Sequence, residues 1–353
     1  MKAQRETLLS LNRFLLPKHI SLPAFDPNLF VNGISHADYR ALIESPSRPL
    51  FNRAVLGGYE PGSTIKPFIA LAALEQGLRR PRDQVFSSGA FRLPNQEREY
   101  RDWRVGGHGW VNMRESLAQS VNTYYYPLSL DMGIDELSAR MARLGFGQPT
   151  GIDLSGEAVG VLPSREWKRA QRNQAWFPGE TVIAGIGQGY WVTTPLQLAQ
   201  ATAALADEGR RRPLRLLRAT QLAFGEPPVP EPLPPAEQVV EDTAHLEAIR
   251  DGLVAVLHSP TGTAREFGQG SPYLIAGKTG TAQRVTRRTD ARMNLDDLPF
   301  HLRHRALFMA YAPADDPELA LALVVESGGS GSRAAAPVAR RIFDAWLLRE
   351  GRE

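Results

Sequence analysis

Two apolar runs late in the chain, Leu307–Ala312 and Leu319–Glu326, are joined only by the short turn Pro313–Pro317. Runs of this length, apolar at nearly every position rather than at alternate ones, mark strands buried on both faces. Tyr273–Ala282 reads as a further buried strand. The patterning ahead of them is mostly helical, so strands gathered at the end must be covered by helices from the middle of the chain. The expected class is therefore α+β, an α/β sandwich built on an antiparallel sheet with helices on its faces.

The helical stretches can be placed by their caps and apolar spacing. An apolar helix starts at Ser63, just after Pro61-Gly62, and passes through Phe68, Ile69, Leu71, Ala72 and Leu74 to Gly77. Pro67 is compatible with it, because the first turn has backbone donors to spare. Residues 21–62 read as an irregular approach, and 86–112 as a loop or short hairpin. Met113–Ser120 and Thr123–Leu144 read as helices, the second interrupted at Met132-Gly133. Gly185–Gly189 is a glycine-rich loop, after which Thr194-Pro195 starts a helix from Leu196 to Ala206. The proline-rich Pro227–Pro235 is an extended surface excursion. Asp242 caps a helix with Leu246, Ile249, Leu253 and Val256 on one face. A closing helix, Ala335–Leu348, is expected to bury Val338, Ile342, Phe343 and Trp346.

Composition removes several function classes. A chain of 353 residues that is 42% hydrophobic and 22% charged is an ordinary globular protein, with neither internal repeat nor linker dividing it. With 41 basic against 38 acidic residues the net charge is only +3, which gives no reason to expect a nucleic-acid partner. The absence of cysteine excludes disulfides, a thiol nucleophile and Cys-ligated zinc. Leu8–Ile20 is broken by Asn12, Arg13, Pro17 and Lys18, and reads neither as a membrane span nor as a signal peptide.

Three short motifs carry the chemistry: Ser63-Thr64-Ile65-Lys66, Ser120-Val121-Asn122 and Lys278-Thr279-Gly280-Thr281. Each is weak alone. Ser63 at a helix start could be a plain cap with Lys66 solvated, Ser120 or Asn122 could cap the next helix, and Lys278 could lie on an ordinary edge strand. Together they describe parts of an acyl transfer. Lys66 lies one turn beyond Ser63 on the same helix face, and a lysine buried near a second cation such as Lys278 can lose its proton and activate a serine. Ser120 and Asn122, at a break between helices, would relay a proton and hold a substrate amide. Gly280 lets another backbone approach its strand, whose edge can take an extended peptide. Lys278 and the hydroxyls of Thr279 and Thr281 would bind a carboxylate, and the N–H groups of Ser63 and Thr281 would form an oxyanion hole. Neither a Gly-x-Ser-x-Gly elbow nor a histidine base is evident.

These motifs, with Leu22–Phe30, Tyr59–Pro67, Tyr100-Arg101-Asp102-Trp103, Gly187–Trp191 and Gly277–Gln283, resemble the transpeptidase domain of class B penicillin-binding proteins, in the branch that serves rod elongation. The resemblance runs from about Ile20 onward. It implies a penicillin-binding/β-lactamase-like fold with a sheet of about five strands and an all-helical subdomain. It also implies D,D-transpeptidation of peptidoglycan stem peptides, without a cofactor, through an acyl-enzyme on Ser63 that β-lactams would also form. Lys66 maps to the base and Ser120 to the proton relay; Asn122, Lys278, Thr279, Gly280 and Thr281 map to substrate binding. Rod-complex glycosyltransferase and scaffold proteins are the implied partners, at the periplasmic face of the inner membrane. Residues 21–349 would form this domain and residues 1–20 an atypical segment, with the family's membrane anchor and pedestal domain absent. Transfer to water, as in a β-lactamase or D,D-carboxypeptidase, and an idle scaffold are the rival readings.

Some members of the family carry zinc near the second motif. Asp102 and His108 fall on two of those ligand positions, but Ser87 and Val121 occupy the others, so no metal is expected. His108 is then a structural hydrogen-bonder. The basic cluster Arg210-Arg211-Arg212, Arg215 and Arg218 is expected to be a solvated face, and the polar stretch Arg284–Arg305 a loop beside the cleft.

Overall fold

The computed structural model describes residues 24–282 and 303–349. The segment 1–20, the positions Leu22, Pro23 and Gln283, and the polar stretch from Arg284 up to residue 302 lie outside the described residues.

The approach to the first motif is less irregular than its composition suggests, holding short helices at Pro27–Phe30, His36–Ile43 and Arg53–Leu56. Asp26, Ser35 and Asn52 cap them with side-chain oxygens, a signal hidden among turn-forming residues. A 3₁₀ turn, Gly62–Ile65, leads into helix α1 (Lys66–Glu75), whose residues up to Leu74 are all buried. A helix apolar on every side belongs in the centre of a domain. Two small antiparallel ribbons follow, one pairing β1 (Val85–Ser87) with β4 (Gly109–Val111), the other β2 (Ala90–Arg92) with β3 (Glu99–Arg101).

Helices α2 (Met113–Ala118), α3 (Asn122–Met132) and α4 (Ile134–Arg143) are separated at residues 119–121 and at Gly133, where the sequence placed its breaks. After α5 (Arg165–Arg172) and α6 (Pro178–Ala184), Thr194 caps α7 (Pro195–Ala206) and Asp242 caps α8 (Thr243–His258). The central sheet is antiparallel in the order β7 (Leu319–Val325), β6 (Arg305–Ala312), β5 (Ala276–Ala282). Helix α9 (Ala336–Leu347) closes the chain, entered through a wide turn at Gly331–Ala335.

Alternation along β6 explains the sandwich. Met309 and Tyr311 join one core with α1, α3 and α7, while Phe308, Ala310 and Ala312 join a second with Phe343 of α9 and the end of α8. The architecture is the expected α+β sandwich, an antiparallel sheet with helices on its faces.

Two details differ from expectation. Among the described residues the central sheet has three strands rather than about five. Trp346 is exposed rather than buried, because the core line of α9 runs through Ala336, Ala339, Phe343 and Leu347 and leaves its neighbour Trp346 off that face. The arginine cluster is tied down locally. Arg210 pairs with Asp207 and Glu208, Arg211 with Glu237, and Arg215 donates to the carbonyls of Glu231 and Pro232. Among the described residues no helix is long and apolar enough to cross a membrane.

Candidate active site

The three motifs meet where the start of α1, the α2–α3 junction and β5 converge. Ser63 lies half-buried inside the 3₁₀ turn, and neither that turn nor α1 uses its hydroxyl as a cap. The turn is held from two sides. Gly62 donates its N–H to the Gly187 carbonyl (2.8 Å), and a Cβ on Gly62 would stand 3.0 Å from the Thr281 carbonyl. Gly280 makes the same approach from the strand, since a Cβ there would meet Thr64 Cγ2 at 2.8 Å and the Pro61 carbonyl at 3.1 Å. The backbones of Ser63 and Thr281 are thereby brought alongside each other.

Lys66 has no solvent exposure. Its Nζ donates to the Ser120 carbonyl (2.8 Å) and to Asn122 Oδ1 (2.7 Å), stands 3.4 Å from Ser120 Oγ, and faces the Tyr125 ring. Burial pushes its pKa down to about 7, with the Asp102 carboxylate opposing the shift. That change from the ordinary 10.5 corresponds to about 5 kcal/mol favouring the neutral amine. A neutral amine can spend its two N–H bonds on the Ser120 carbonyl and Asn122 and keep a lone pair free for a hydroxyl proton. Lys278 is equally buried; burial lowers its pKa well below the ordinary value and the charge of Lys66 lowers it further. A carboxylate arriving beside Lys278 would draw the proton there and leave Lys66 as the base.

The α2–α3 junction turns sharply because Ser120 adopts φ +58°, a left-handed conformation that costs a non-glycine residue about 1–2 kcal/mol. The bend aims the Ser120 carbonyl at Lys66. No side chain caps α3, so Ser120 and Asn122 remain available for the site. Pairing with β6 sets Lys278 opposite Met309, Thr279 opposite Phe308 and Thr281 opposite Ala306, so the two threonines share one strand face.

The sequence motifs do not reveal what holds this junction. Asp102 Oδ2 accepts from the N–H (3.0 Å) and hydroxyl (3.1 Å) of Thr123, in the first turn of α3. Its Oδ1 contacts His108 Nε2 at 3.2 Å, and His108 Nδ1 contacts Gln119 Oε1 at 3.1 Å. Burial alone would raise the Asp102 carboxyl, but the bonds from His108 and Thr123 and the charge of Lys66 hold it below the usual range. The Ser87 and Thr123 hydroxyls lie 2.6 Å apart.

This constellation does not fit a zinc ion. Asp102 and His108 are engaged with each other and with Thr123 and Gln119, and a Ser87 hydroxyl and Val121 cannot complete four ligands. Among the described residues no three His, Asp or Glu are grouped to hold a metal. Elemental analysis of the purified chain is expected to find well below one zinc per chain, and a chelator to leave its acylation rate unchanged; stoichiometric zinc would overturn this.

Comparison with known proteins agrees with the geometry. A family model described as the penicillin binding protein transpeptidase domain matches residues 18–344. The peptidoglycan D,D-transpeptidase MrdA of Haemophilus influenzae is 40% identical over 328 residues, 93% of this chain and 50% of the relative. Its Acinetobacter baumannii counterpart is 42% identical over 93% of this chain and 48% of its own length. The chain thus spans about half the length of the curated relatives it matches. The crystal structure of Pseudomonas aeruginosa PBP2 in complex with WCK 5153 superposes with a TM-score of 0.81 at 47% identity, covering 94% of this chain and 68% of that one. Helicobacter pylori PBP2, in complex with MreC, gives 0.81 at 29% identity over 93% of this chain and 57% of that one.

Proposed function

Because the chain belongs to the penicillin-binding protein transpeptidase family, we propose that it is a peptidoglycan D,D-transpeptidase domain, cross-linking stem peptides through an acyl-enzyme on Ser63 during cell-wall elongation. One observation carries the reading. A fully buried lysine with its pKa near 7 sits one turn from Ser63 and is bonded to the Ser120 carbonyl and the Asn122 side chain of the second motif.

In this reading Lys66 takes the Ser63 proton as Oγ attacks the penultimate D-Ala carbonyl. The oxyanion is held by the N–H groups of Ser63 and Thr281. Ser120 passes the proton to the departing D-Ala amine. An amine of a neighbouring stem peptide then attacks the acyl-enzyme, gives up its proton to the same base and restores Ser63. Asn122 holds the donor backbone, and Lys278, Thr279 and Thr281 take its terminal carboxylate, with Gly280 letting the strand approach the Ser63 turn. β-Lactams enter the same site and acylate Ser63. The work would be done at the periplasmic face of the inner membrane, with an elongation glycosyltransferase and a scaffold of the MreC kind as partners. The complex named for the Helicobacter pylori protein supports the second of these.

Incubation with benzylpenicillin followed by intact-mass measurement tests the reading. A persistent adduct of one penicillin, lost in Ser63→Ala, is the expected result. Rapid turnover would point to transfer to water, and a folded chain that takes no adduct would leave only a scaffold.

A further inference from the structure

The segment after α8 joins the end of α2, just ahead of the second motif, to the third motif through a single residue that neither motif contains. Thr263 donates its backbone N–H to the carbonyl of Ala118, the last residue of α2 and two positions before Ser120 (3.1 Å). Its Oγ1 lies 2.9 Å from Thr279 Oγ1 in the third motif. The segment that presents it is tightly folded. Ala264 donates back to the Val256 carbonyl (2.9 Å), Ser259 Oγ bonds the Ala255 carbonyl, and a Cβ on Gly262 would stand 2.3 Å from the Val256 carbonyl.

We propose that Thr263 is a positioning residue for carboxylate recognition, donating its hydroxyl proton to Thr279 so that the Thr279 proton is left for the substrate. The inference rests on the transpeptidase reading above. Each hydroxyl has one proton, and only one of the pair can donate across the 2.9 Å contact. If Thr279 donates to Thr263, it has no proton for a carboxylate. If Thr263 donates, the chain runs from Thr263 through Thr279 to the carboxylate, each bond polarising the next in the same direction. A hydrogen bond to an ionised acceptor is about twice as strong as a neutral one, so the arriving carboxylate selects the second arrangement. Thr279 is 7% exposed as a residue, and its hydroxyl contact with Thr263 is part-buried.

The test compares acylation rate constants of the whole chain with benzylpenicillin, which carries the carboxylate, and with its methyl ester, which does not. Thr263→Val keeps the shape and removes the donor; Thr263→Ser keeps the donor. Thr263→Val is expected to slow benzylpenicillin about fivefold, the weight of the one neutral hydrogen bond that orients and polarises the Thr279 hydroxyl, and to leave the ester rate unchanged. Thr263→Ser is expected to restore the wild-type preference for the carboxylate. Thr263→Ala, which leaves space rather than strain, is measured in parallel and should show the same ratio. Equal slowing of both compounds would reduce Thr263 to a structural role, and no slowing of either would remove it; both overturn the proposal with the transpeptidase reading intact. A folded wild-type chain acylated by neither compound overturns that reading and this proposal with it.

Discussion

Replacing Lys66 with methionine is expected to lower the rate of Ser63 acylation by benzylpenicillin about a thousandfold, within the range for loss of a positioned general base. Intact-mass time courses read this directly. The wild-type pH profile gives the mechanism a second handle. Only the neutral amine can take the serine proton, and burial puts the Lys66 pKa at about 7. The rate should therefore climb as pH rises towards 7 and level off above it, because protonation below that value removes the base. Lys66→Arg sharpens the test, since a guanidinium stays charged and cannot act as a base at any accessible pH. An arginine variant that acylates with an unchanged profile would sink the assignment.

Substituting Gly187 with alanine should be nearly as damaging, although it lies outside all three motifs. Gly187 sits at φ +70°, and a Cβ there would stand 2.3 Å from the Gly62 carbonyl and 2.9 Å from Gly62 N and Ile65 Cγ2. Its own carbonyl accepts the Gly62 N–H at 2.8 Å. The methyl group therefore pushes on the turn that carries Ser63, and a displacement on the order of 1 Å at a reacting group costs about 10²-fold in rate. Gly270→Ala is the control: φ is +67°, but nothing lies within 4 Å of the added Cβ, so only the backbone cost of about 1–2 kcal/mol remains. A lowered melting temperature in both variants, with acylation slowed about 10²-fold only in Gly187→Ala, is the expected pattern. Wild-type acylation by Gly187→Ala would show that the turn is not held as described.

Local signals were enough for most elements. Caps at Thr194 and Asp242, the break at Gly133 and the apolar runs of β6 and β7 are readable because each depends on a few neighbouring residues. The short helices before Ser63 were missed, since their caps look like the turn residues around them. Trp346 was misplaced because one residue of phase on a helix separates the core line from the exposed face.

The site divides along the same boundary. The sequence by itself singled out the residues proposed to carry the chemistry, Ser63, Lys66, Ser120, Asn122 and Lys278 to Thr281, and placed each on a helix start, a helix break or a strand. It could not determine the state of Lys66. The lowered pKa of that amine comes from water excluded as the elements around it pack, and an Asp102 carboxylate that Thr123 and His108 hold in place opposes the shift. The reach of Thr263 to Thr279, and of Gly187 to Gly62, likewise exists only once the chain is folded. Desolvation and close backbone approach are properties of the packed interior, and no window of neighbouring residues contains them.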